Sequence, residues 1–449
     1  MEKSRATWGS KFGYIMAAAG FSVGLGNIWR FPYLAGMNGG GAFVLVYVLI
    51  CLLIGYPMYL AEAGLGRKMQ ANPVAAIRGL SKKGSWWPAI GWLGAAVCVV
   101  LLSYYLVIMG WMFAYFVKML IGSFNGLSAD QVVKAFTDFQ ADPVQTFLWT
   151  ALVVVALAII SFQGLKDGIE RVCKVLMPIL IVMLVVLAVR SLTLPGAMEG
   201  VKWYLTPDFS KITPDVCLAA LGQSFFSIGI ASSCAIIYGS FLNKDSNIPV
   251  SACQIVGMDT GIALLAGIVI FPALFSFGME PASGMGLVFQ TMPHLFNQMP
   301  LGNIFGGMFF LMIFFAGLTS AIGYLEGATN IIQEEFNLSR KKAVLYPLII
   351  IVILSIPCIL SLNPNNFFSS IVIKDRNLFD FADFLSGNVM MPINAFLICM
   401  FVIFVWKFEN YKNDVNVGAT KIKVANWWKV LIYVLIPVAI GFITVTGIM

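Results

Sequence analysis

Charged side chains are scarce in this chain of 449 residues: Asp, Glu, Lys and Arg make up 11%, and there is one histidine, His294. Soluble domains carry about 25% charged residues, whereas 59% of these residues are apolar and the mean hydropathy is +0.88. This composition excludes an ordinary soluble protein and indicates an integral membrane protein. The net charge of +7 needs no nucleic-acid partner, because loop charges facing anionic lipid account for it.

The chain also lacks the residue patterns of common catalytic and metal sites. It contains no Ser-His-Asp, Cys-His, HExxH or P-loop arrangement. A single histidine also offers little for acid–base catalysis, in which histidine is the commonest participant. The eight cysteines fall within or beside apolar segments without CxxC spacing, which favours small core residues over disulfides or metal ligands. We therefore expect no enzyme activity. The N-terminus has no small-residue cleavage site, so the first apolar segment should remain as a span.

What the chain does contain is a succession of apolar segments, each long enough to cross about 30 Å of hydrocarbon as a helix. Short polar connections separate them, and no soluble domain interrupts them. The sequence therefore predicts an all-α polytopic membrane protein, with a single transmembrane domain over 1–449 and eleven transmembrane helices. The predicted spans lie near 12–36, 41–65, 88–117, 145–163, 169–192, 215–240, 249–277, 304–330, 343–361, 384–406 and 428–448.

Lys and Arg are unevenly distributed between the two sides of these spans. With the N-terminus in the cytoplasm, 20 of the 28 Lys and Arg residues fall in cytoplasmic connections and seven fall outside, with Arg30 inside a span. The positive-inside rule supports this orientation. An odd number of spans then places the C-terminus outside.

The first span contains Gly20, Gly24 and Gly26 beside Ser22 and Asn27, where a membrane helix should be continuous. Such a composition weakens the helix and lets a ligand approach the backbone closely. Non-helical backbone at membrane depth occurs only where it is buried in protein or lines a cavity, so a break here predicts a binding site. The alternative is a glycine face for helix packing.

The sixth span carries a second interruption, GQSFFSIGIASS at 222–233. Since five spans separate the two breaks, a second five-span repeat enters the membrane from the opposite side, and the breaks meet at the midplane. We expect inverted repeats over about 12–192 and 215–406, with an extra span at 428–448. Broken helices offer positive helix ends to an anionic group and free carbonyls to a cation, which suits a small zwitterion with a metal ion.

Two further groups of polar residues lie inside spans. Ala316, Thr319 and Ser320 offer a carbonyl and two hydroxyls on one helical face, which suits a hard cation. Hydroxyls in membrane helices more often bond to their own backbone, so these residues either form an ion site or simply bond within their helix. Tyr104 and Tyr105 lie deep in apolar sequence, where a phenol needs a hydrogen-bond partner, although simple packing is equally compatible.

Four stretches together resemble one family: GLGNIWRFP at 24–32, NGGGAF at 38–43, GQSFF at 222–226 and AGLTS at 316–320. They are similar to the neurotransmitter:sodium symporters with the LeuT fold, and within that family to the bacterial tyrosine and multi-hydrophobic amino-acid transporters. The resemblance extends from Arg5 to about Trp406. It implies a sodium-coupled symporter of neutral, hydrophobic or aromatic L-amino acids in the bacterial inner membrane, with tyrosine favoured. Two Na+ ions would be the coupling ions, with no other cofactor, and a homodimer is an assembly it allows.

The resemblance also implies ligand sets, position by position. The first sodium site would comprise the Ser22 carbonyl, Asn27, Ser227 and Asp259. The second would comprise the carbonyls of Gly20, Val23 and Ala316 with the hydroxyls of Thr319 and Ser320. The substrate site would comprise Ser22, Leu25, Gly26, Leu101, Tyr105, Ile108, Phe226, Ser227, Gly229, Ser232, Ser320 and Tyr324. Arg30 and Asp383 would form an outer gate, and Arg5 and Glu334 an inner one.

Two positions refine these expectations. Family members that carry monoamines have an Asp at the position of Gly24, so its absence here favours substrates that bring their own carboxylate. Chloride-dependent members have an uncharged Asn at the position of Asp259, and their chloride ligands match Tyr47, Gln223 and Ser227. We therefore expect Asp259 to provide the compensating negative charge and transport to be chloride-independent.

A sodium channel or a non-transporting amino-acid sensor are the competing functions. A channel calls for a continuous polar stripe or a repeated filter sequence, whereas the polar groups here cluster at two breaks. The sequence does not exclude a sensor.

Overall fold

The computed structural model describes residues 6–279 and 284–448, and in these ranges the chain forms helices joined by short connections. The long helices coincide with the predicted apolar segments to within a few residues at most ends, which confirms the all-α class. In chain order the helices are α1 (Lys11–Ser22), α2 (Gly26–Met37), α3 (Gly41–Met69), α4 (Pro73–Leu80), α5 (Ala89–Leu120), α6 (Ala129–Ala141), α7 (Pro143–Phe162), α8 (Leu165–Leu192), α9 (Ala197–Leu205), α10 (Pro214–Ile228), α11 (Cys234–Ser240), α12 (Ile248–Ser276), α13 (287–297), α14 (Gly302–Glu335), α15 (Arg340–Ser361), α16 (Leu378–Trp406), α17 (Phe408–Val415) and α18 (Trp428–Val445).

Nine of the described helices are long and apolar enough to cross a membrane, and α1 with α2 makes a tenth span bent by 51°. The expected sixth span is divided into α10 and α11, of 15 and 7 residues, and neither piece reaches the length of a span. The described residues therefore support a polytopic membrane protein but do not confirm the count of eleven.

Both predicted breaks are present, and both are narrower than their composition suggested. In the first span only Val23 and Gly24 leave the helix, and the chain resumes through a wide π-helical turn over Gly26–Arg30. In the sixth, Gly222 lies within α10, and the non-helical residues are 229–233. A glycine lowers helix stability by only about 1 kcal/mol, so packing in the surrounding helices keeps Gly222 helical.

Several connections contain short helices that the apolar pattern did not predict. Helix α6 begins at a capping box in which Ser128 and Gln131 satisfy each other's backbone N–H groups. The Asp142 carboxylate then accepts from two N–H groups at the start of α7. His294, expected in a polar loop, lies in α13 and contacts Gln298 at 2.9 Å.

Helices α5 and α14 form the centre of the molecule, packed along each other. Their apolar stretches are 78% and 83% buried, whereas those of α7 and α18 are 28% buried and face outward. Side chains that would contact lipid therefore lie on the peripheral helices, and the polar residues of α14 are enclosed by protein. Six of the eight cysteines are buried and all eight are free thiols.

Helices α3 and α11 approach each other through two glycines. A Cβ atom at Gly66 would lie 1.8 Å from the Ile236 carbonyl oxygen, and one at Gly239 would lie 2.3 Å from the Ala63 carbonyl oxygen. Both distances are too short for any side chain, so the two backbones are in direct contact. The seven-residue α11 is thereby held against a long helix.

Candidate functional site

The two breaks lie against each other in the interior. The Ser22 hydroxyl donates to the Ile228 carbonyl at 3.0 Å, so the last residue of α1 touches the last residue of α10. Beyond the first break, the Gln223 side-chain amide donates to the Gly26 carbonyl at 2.7 Å. These contacts join the interrupted spans at the level where the sequence predicted a shared site.

Four side chains from different helices form a buried polar cluster beside the breaks. Asn27 donates to the Asp259 carboxylate at 2.7 Å and to its backbone carbonyl at 2.9 Å. The Ser227 hydroxyl lies 3.0 Å from each carboxylate oxygen of Asp259, and Tyr47 donates to Ser227 at 3.2 Å. The structure thus brings together Asn27, Ser227 and Asp259, three of the residues implied for the first sodium site.

Asp259, like Glu62, is a buried acidic residue without an ion pair among the described residues, whereas two other buried acidic residues are paired. Glu326 pairs with Arg340, and Glu170 pairs with Lys174. Asp259 is fully buried and receives only neutral donors. An unpaired carboxylate in a membrane interior is costly, so a cation is the natural complement to this cluster.

A second cluster forms where α14 meets the first break. The Ser320 hydroxyl lies 2.8 Å from the Phe21 carbonyl oxygen, 3.3 Å from that of Val23 and 3.4 Å from that of Gly20. Thr319 bonds back to its own helix, at 3.0 Å from the Ala316 carbonyl oxygen. That contact uses its proton but leaves an oxygen lone pair free to bind a cation.

The backbone of the break is also close to α5. The Leu25 N–H group lies 3.4 Å from the Tyr105 hydroxyl. A Cβ atom at Gly24 would lie 2.5 Å from the Ser320 hydroxyl oxygen and 3.0 Å from that of Tyr105. The Leu25 N–H group and the Tyr105 phenol, at the positive end of α2, are donors that suit a carboxylate. Glycine at position 24 keeps this corner open.

The residues implied for the side-chain pocket are all buried or half-buried around the breaks. Ser232 donates to the Gly229 carbonyl at 2.7 Å, within the second break. The Phe21 ring packs 4.9 Å from Tyr324 and occupies the space beside Gly229, where a Cβ atom would lie 2.5 Å from the ring. Leu101 and Ile108, on α5, are buried. The Phe21 ring therefore borders the expected pocket between Gly229 and Tyr324.

The second break is held by two side chains that sequence reasoning missed. Ala231 has φ +68°, in the left-handed region that disfavours residues with a Cβ atom. Its N–H donates to Glu62 at 2.5 Å, and its carbonyl accepts from Asn394 at 2.6 Å. A buried Glu and a buried Asn inside apolar spans were the available signal.

The predicted outer gate residues line one cavity of about 210 Å³, together with Leu25, Trp29, Tyr33, Tyr104, Tyr105, Ile108, Phe226 and neighbouring residues. Among the described residues no ion pair within 4.0 Å joins Arg30 to Asp383, and Arg30 instead lies 4.7 Å from the centre of the Phe226 ring. The half-buried Phe226 forms part of the cavity floor.

The predicted inner gate is described on one side only, because Arg5 lies outside the described residues. Glu334 accepts from the backbone N–H of Asn72 at 2.9 Å and lines a cavity of about 640 Å³. Glu326 and Arg340 line the same cavity. This cavity lies at the C-terminal end of α14, whereas the residues that line the outer cavity come from other parts of the chain.

Comparisons with known proteins agree with this geometry. The family model described as the sodium:neurotransmitter symporter family matches residues 5–131 and 130–449. An uncharacterized sodium-dependent transporter of Bacillus subtilis is 41% identical over 100% of this chain and 99% of its own length. The sodium- and chloride-dependent creatine transporter 1 of rabbit (Oryctolagus cuniculus) is 29% identical, over 72% of this chain and 59% of its own.

A solved structure extends the likeness to three dimensions. The crystal structure of MhsT in complex with L-phenylalanine superposes with a TM-score of 0.89 at 38% identity, covering 99% of this chain and 100% of that one. The fold is therefore the LeuT-type fold that the sequence predicted. Family membership makes the protein a multi-pass membrane transporter rather than an enzyme, with sodium as its coupling ion. This chain belongs to the sodium:neurotransmitter symporter family.

Proposed function

We propose that the protein is a sodium-coupled symporter of neutral amino acids with hydrophobic or aromatic side chains. The observation that carries the proposal is the pair of buried oxygen clusters, around Asp259 and around Ser320, on either side of a helix break. Beside them the Leu25 N–H group donates to the Tyr105 hydroxyl at 3.4 Å, and both groups are hydrogen-bond donors that a carboxylate could engage. Hard cations prefer oxygen ligands, and these two donors suit a carboxylate.

The first sodium ion is proposed to bind at the Ser22 carbonyl, Asn27, Ser227 and Asp259. In that position it would neutralise the buried carboxylate, which forms no ion pair with the residues that the structure describes. The substrate carboxylate completes the ligand set. Because ion and substrate then share a ligand, each favours binding of the other by the same factor.

The second sodium ion is proposed to bind where α14 meets α1, at Gly20, Val23, Ala316, Thr319 and Ser320. The distances of 3.3 and 3.4 Å from Ser320 to the Val23 and Gly20 carbonyl oxygens support this set. All five ligands are neutral, so the site depends on the negative ends of carbonyl dipoles. Opening of either helix would dismantle it.

The substrate is proposed to bring its own carboxylate to Leu25, Gly26 and Tyr105, with its amine at the carbonyls around Ser22, Phe226 and Ser227. Gly24 offers no charge to an amine that lacks a carboxylate. Leu101, Ile108, Gly229, Ser232 and Tyr324 would enclose the side chain, with Ser320 nearby. The small residues Gly229 and Ser232 and the aromatic wall of Tyr324 support a preference for tyrosine, and the phenylalanine bound to MhsT is of the same class.

Transport is proposed to be independent of chloride. The three groups expected to bind an anion already donate to protein oxygens: Tyr47 to Ser227, Gln223 to Gly26 and Ser227 to Asp259, at 3.2, 2.7 and 3.0 Å. An anion among them would also lie beside the Asp259 carboxylate. The fixed charge of Asp259 therefore takes the place of chloride.

Alternating access is proposed to use Arg30 with Asp383 as the outer gate and Arg5 with Glu334 as the inner gate. Arg30 and Asp383 line the cavity of about 210 Å³, and Glu334 lines the one of about 640 Å³. We place the protein in the bacterial inner membrane with its N-terminus in the cytoplasm and its C-terminus outside, and we assign the inverted repeats to 12–192 and 215–406, followed by an extra span at 428–448. A homodimer remains a separate proposal.

Uptake of labelled tyrosine into proteoliposomes tests the function directly. An inward sodium gradient should drive accumulation, and replacing sodium by potassium or choline should abolish it. Equal inhibition of labelled-tyrosine uptake by alanine and tyrosine would refute the aromatic preference, but it would not contradict sodium coupling. Sodium-dependent binding without counterflow would instead identify a sensor, and unsaturable sodium flux without substrate would identify a channel.

A further inference from the structure

The N-terminal end of α1 is held from two sides. On one side Trp8 donates its indole N–H to the Tyr238 carbonyl at 2.9 Å, and its backbone N–H to that of Phe241 at 3.2 Å. On the other side the chain contacts the start of α8 through one acidic residue, Glu170. The ligand sets of the proposed transport cycle do not include Glu170.

The Glu170 carboxylate is 2% exposed and lies at the N-terminus of α1. It accepts from the backbone N–H of Gly9 at 2.7 Å and from the hydroxyl of Ser10, the N-cap residue, at 3.3 Å. Lys174, one turn along α8, balances the charge at 2.5 Å. A negative charge here also meets the positive end of the helix dipole.

The surface of α1 is shaped to admit this carboxylate. A Cβ atom at Gly13 would lie 2.0 Å from a carboxylate oxygen of Glu170, and one at Gly9 would lie 3.1 Å from it. Any side chain at position 13 would therefore displace the carboxylate. The Glu170 carboxylate occupies the space that a side chain at position 13 would need, so Gly13 and Glu170 are complementary in shape.

The part of α8 that carries Glu170 is wound differently from the rest of the helix. Residues Leu165–Glu170 form a π-helical turn that follows Gly164 at φ +79°, and Pro178 lies inside the helix a few turns later. A π turn is strained relative to an α turn, and proline removes a backbone donor, so this stretch is a weak part of the helix. A buried charged contact thus bridges a weak helical segment and the N-terminal end of the first broken span.

We propose that Glu170 is a positioning residue that holds the N-terminal end of α1 against α8 and keeps this side of the transporter closed. The proposal rests on the proposed function for its role in transport. Release of the carboxylate would free the first turn of α1 on the α8 side, leaving Trp8 as its remaining anchor. Opening of the α1–α8 interface would follow.

The native thiol of Cys173 offers a direct measure of this opening. Cys173 is fully buried three residues beyond Glu170, whereas the fully free Cys253 is exposed and Cys358 is buried on α15. Purified protein is labelled with N-ethylmaleimide, and each site is quantified by peptide mass spectrometry. Glu170→Ala should increase the labelling rate of Cys173 by about tenfold, the factor expected for losing a charged hydrogen bond. The rates at Cys253 and Cys358 should not change.

Two variants separate a specific contact from general damage to the fold. Gly13→Ala should raise Cys173 labelling as Glu170→Ala does, because the added methyl group displaces the carboxylate. The double variant should be no more reactive than either single one, since the two changes break the same contact. Asp167→Ala, which removes an exposed carboxylate of the same turn, and Gly387→Ala, which meets no atom within 4 Å, are the matched controls.

Unchanged Cys173 labelling in both Glu170→Ala and Gly13→Ala would overturn the proposal, as would a double variant whose effects multiply. Labelling is measured without substrate or an ion gradient. A failure of sodium-driven uptake would therefore count against the proposed function alone.

Discussion

The side-chain amide of Asn27 donates to both the carboxylate and the backbone carbonyl of Asp259, at 2.7 and 2.9 Å. The contact ties α2, which follows the first break, to the middle of α12. Because Ser227 from α10 bonds to the same carboxylate, one charged group is shared by both interrupted spans. A change of charge at Asp259 should therefore alter the hydrogen bonds of both interrupted spans in the proposed transport site.

Uptake by the unmodified protein should be the same in chloride and in gluconate. In Asp259→Asn the fixed charge is lost, and residual uptake should become chloride-stimulated because an anion can then balance the sodium ion. The measurement is initial uptake at constant sodium with the anion exchanged. Asp208→Asn, a change at an exposed carboxylate, should stay indifferent to the anion, and strong chloride dependence of the unmodified protein would contradict the argument.

Thr319→Ala combined with Ser320→Ala should weaken sodium activation of uptake sharply. Two of five proposed ligands are removed, so we expect the half-activating sodium concentration to rise by about tenfold or more. Thr137→Ala is the control, because Thr137 also bonds back to its own helix, at 3.0 Å from the Val133 carbonyl, but lies on the exposed α6. A normal sodium response in the double variant would contradict the proposal that Thr319 and Ser320 bind the second sodium ion.

Ser232→Phe should shift selectivity from tyrosine towards leucine. Ser232 is fully buried and bonds to Gly229, which faces the Phe21 ring, so the added ring would enter space that is already filled. Overpacking of this kind costs about 1 to 3 kcal/mol, and the loss should be larger for the bulkier substrate. Competition by unlabelled amino acids measures it, with Ser210→Phe at a surface position as the control.

Gly24→Ala should weaken sodium and substrate binding together. Its methyl group would lie 2.5 Å from the Ser320 hydroxyl oxygen and 3.0 Å from that of Tyr105, one in the ion cluster and one in the substrate corner. Gly222→Ala is the matched change in the other broken span, where no atom lies within 4 Å. It should leave both affinities unchanged, and equal effects of the two substitutions would disprove the steric explanation.

Arg67→Met should destabilise the fold by about 3 kcal/mol, since buried carbonyl groups lose a charged donor. Arg67 is 2% exposed and donates to the carbonyls of Ser246, Asp414 and Val417, joining the end of α3 to two connections. Lys68→Met removes a half-exposed ion pair with Asp414 and should cost less than about 1 kcal/mol. Denaturation midpoints in detergent compare the two variants.

The positions of the spans could be predicted because each is a long apolar run with a polar boundary. The short helices α6 and α13 could not, since their order comes from capping and from neighbours rather than from a long pattern. The length of the breaks was overestimated because neighbouring residues, and not the composition of the segment alone, decide which residues are helical. Gly222 is helical because its surroundings are, whereas Ala231 is not helical although its own propensity for helix is high.

The site was predictable where the motifs resemble the family. Asp259 was named from that resemblance and Asn27 from the break and the resemblance, and the structure places the two residues in contact. Glu62 and Asn394 were missed because they bond to the backbone of Ala231, a relationship between distant helices that leaves no local pattern. The packing of Phe21 against Gly229 could not be predicted either, because it depends on how the two breaks are oriented towards each other in the fold.

The backbone contacts at Gly66 and Gly239 limit how this protein can vary. Each glycine faces a carbonyl group of the other helix, at 1.8 and 2.3 Å from where a Cβ atom would stand, so no single replacement at either position can be tolerated without moving two helices at once. A library randomised at both codons and selected for function should return glycine almost alone. Substitutions that change substrate preference should therefore arise at positions away from this helix crossing.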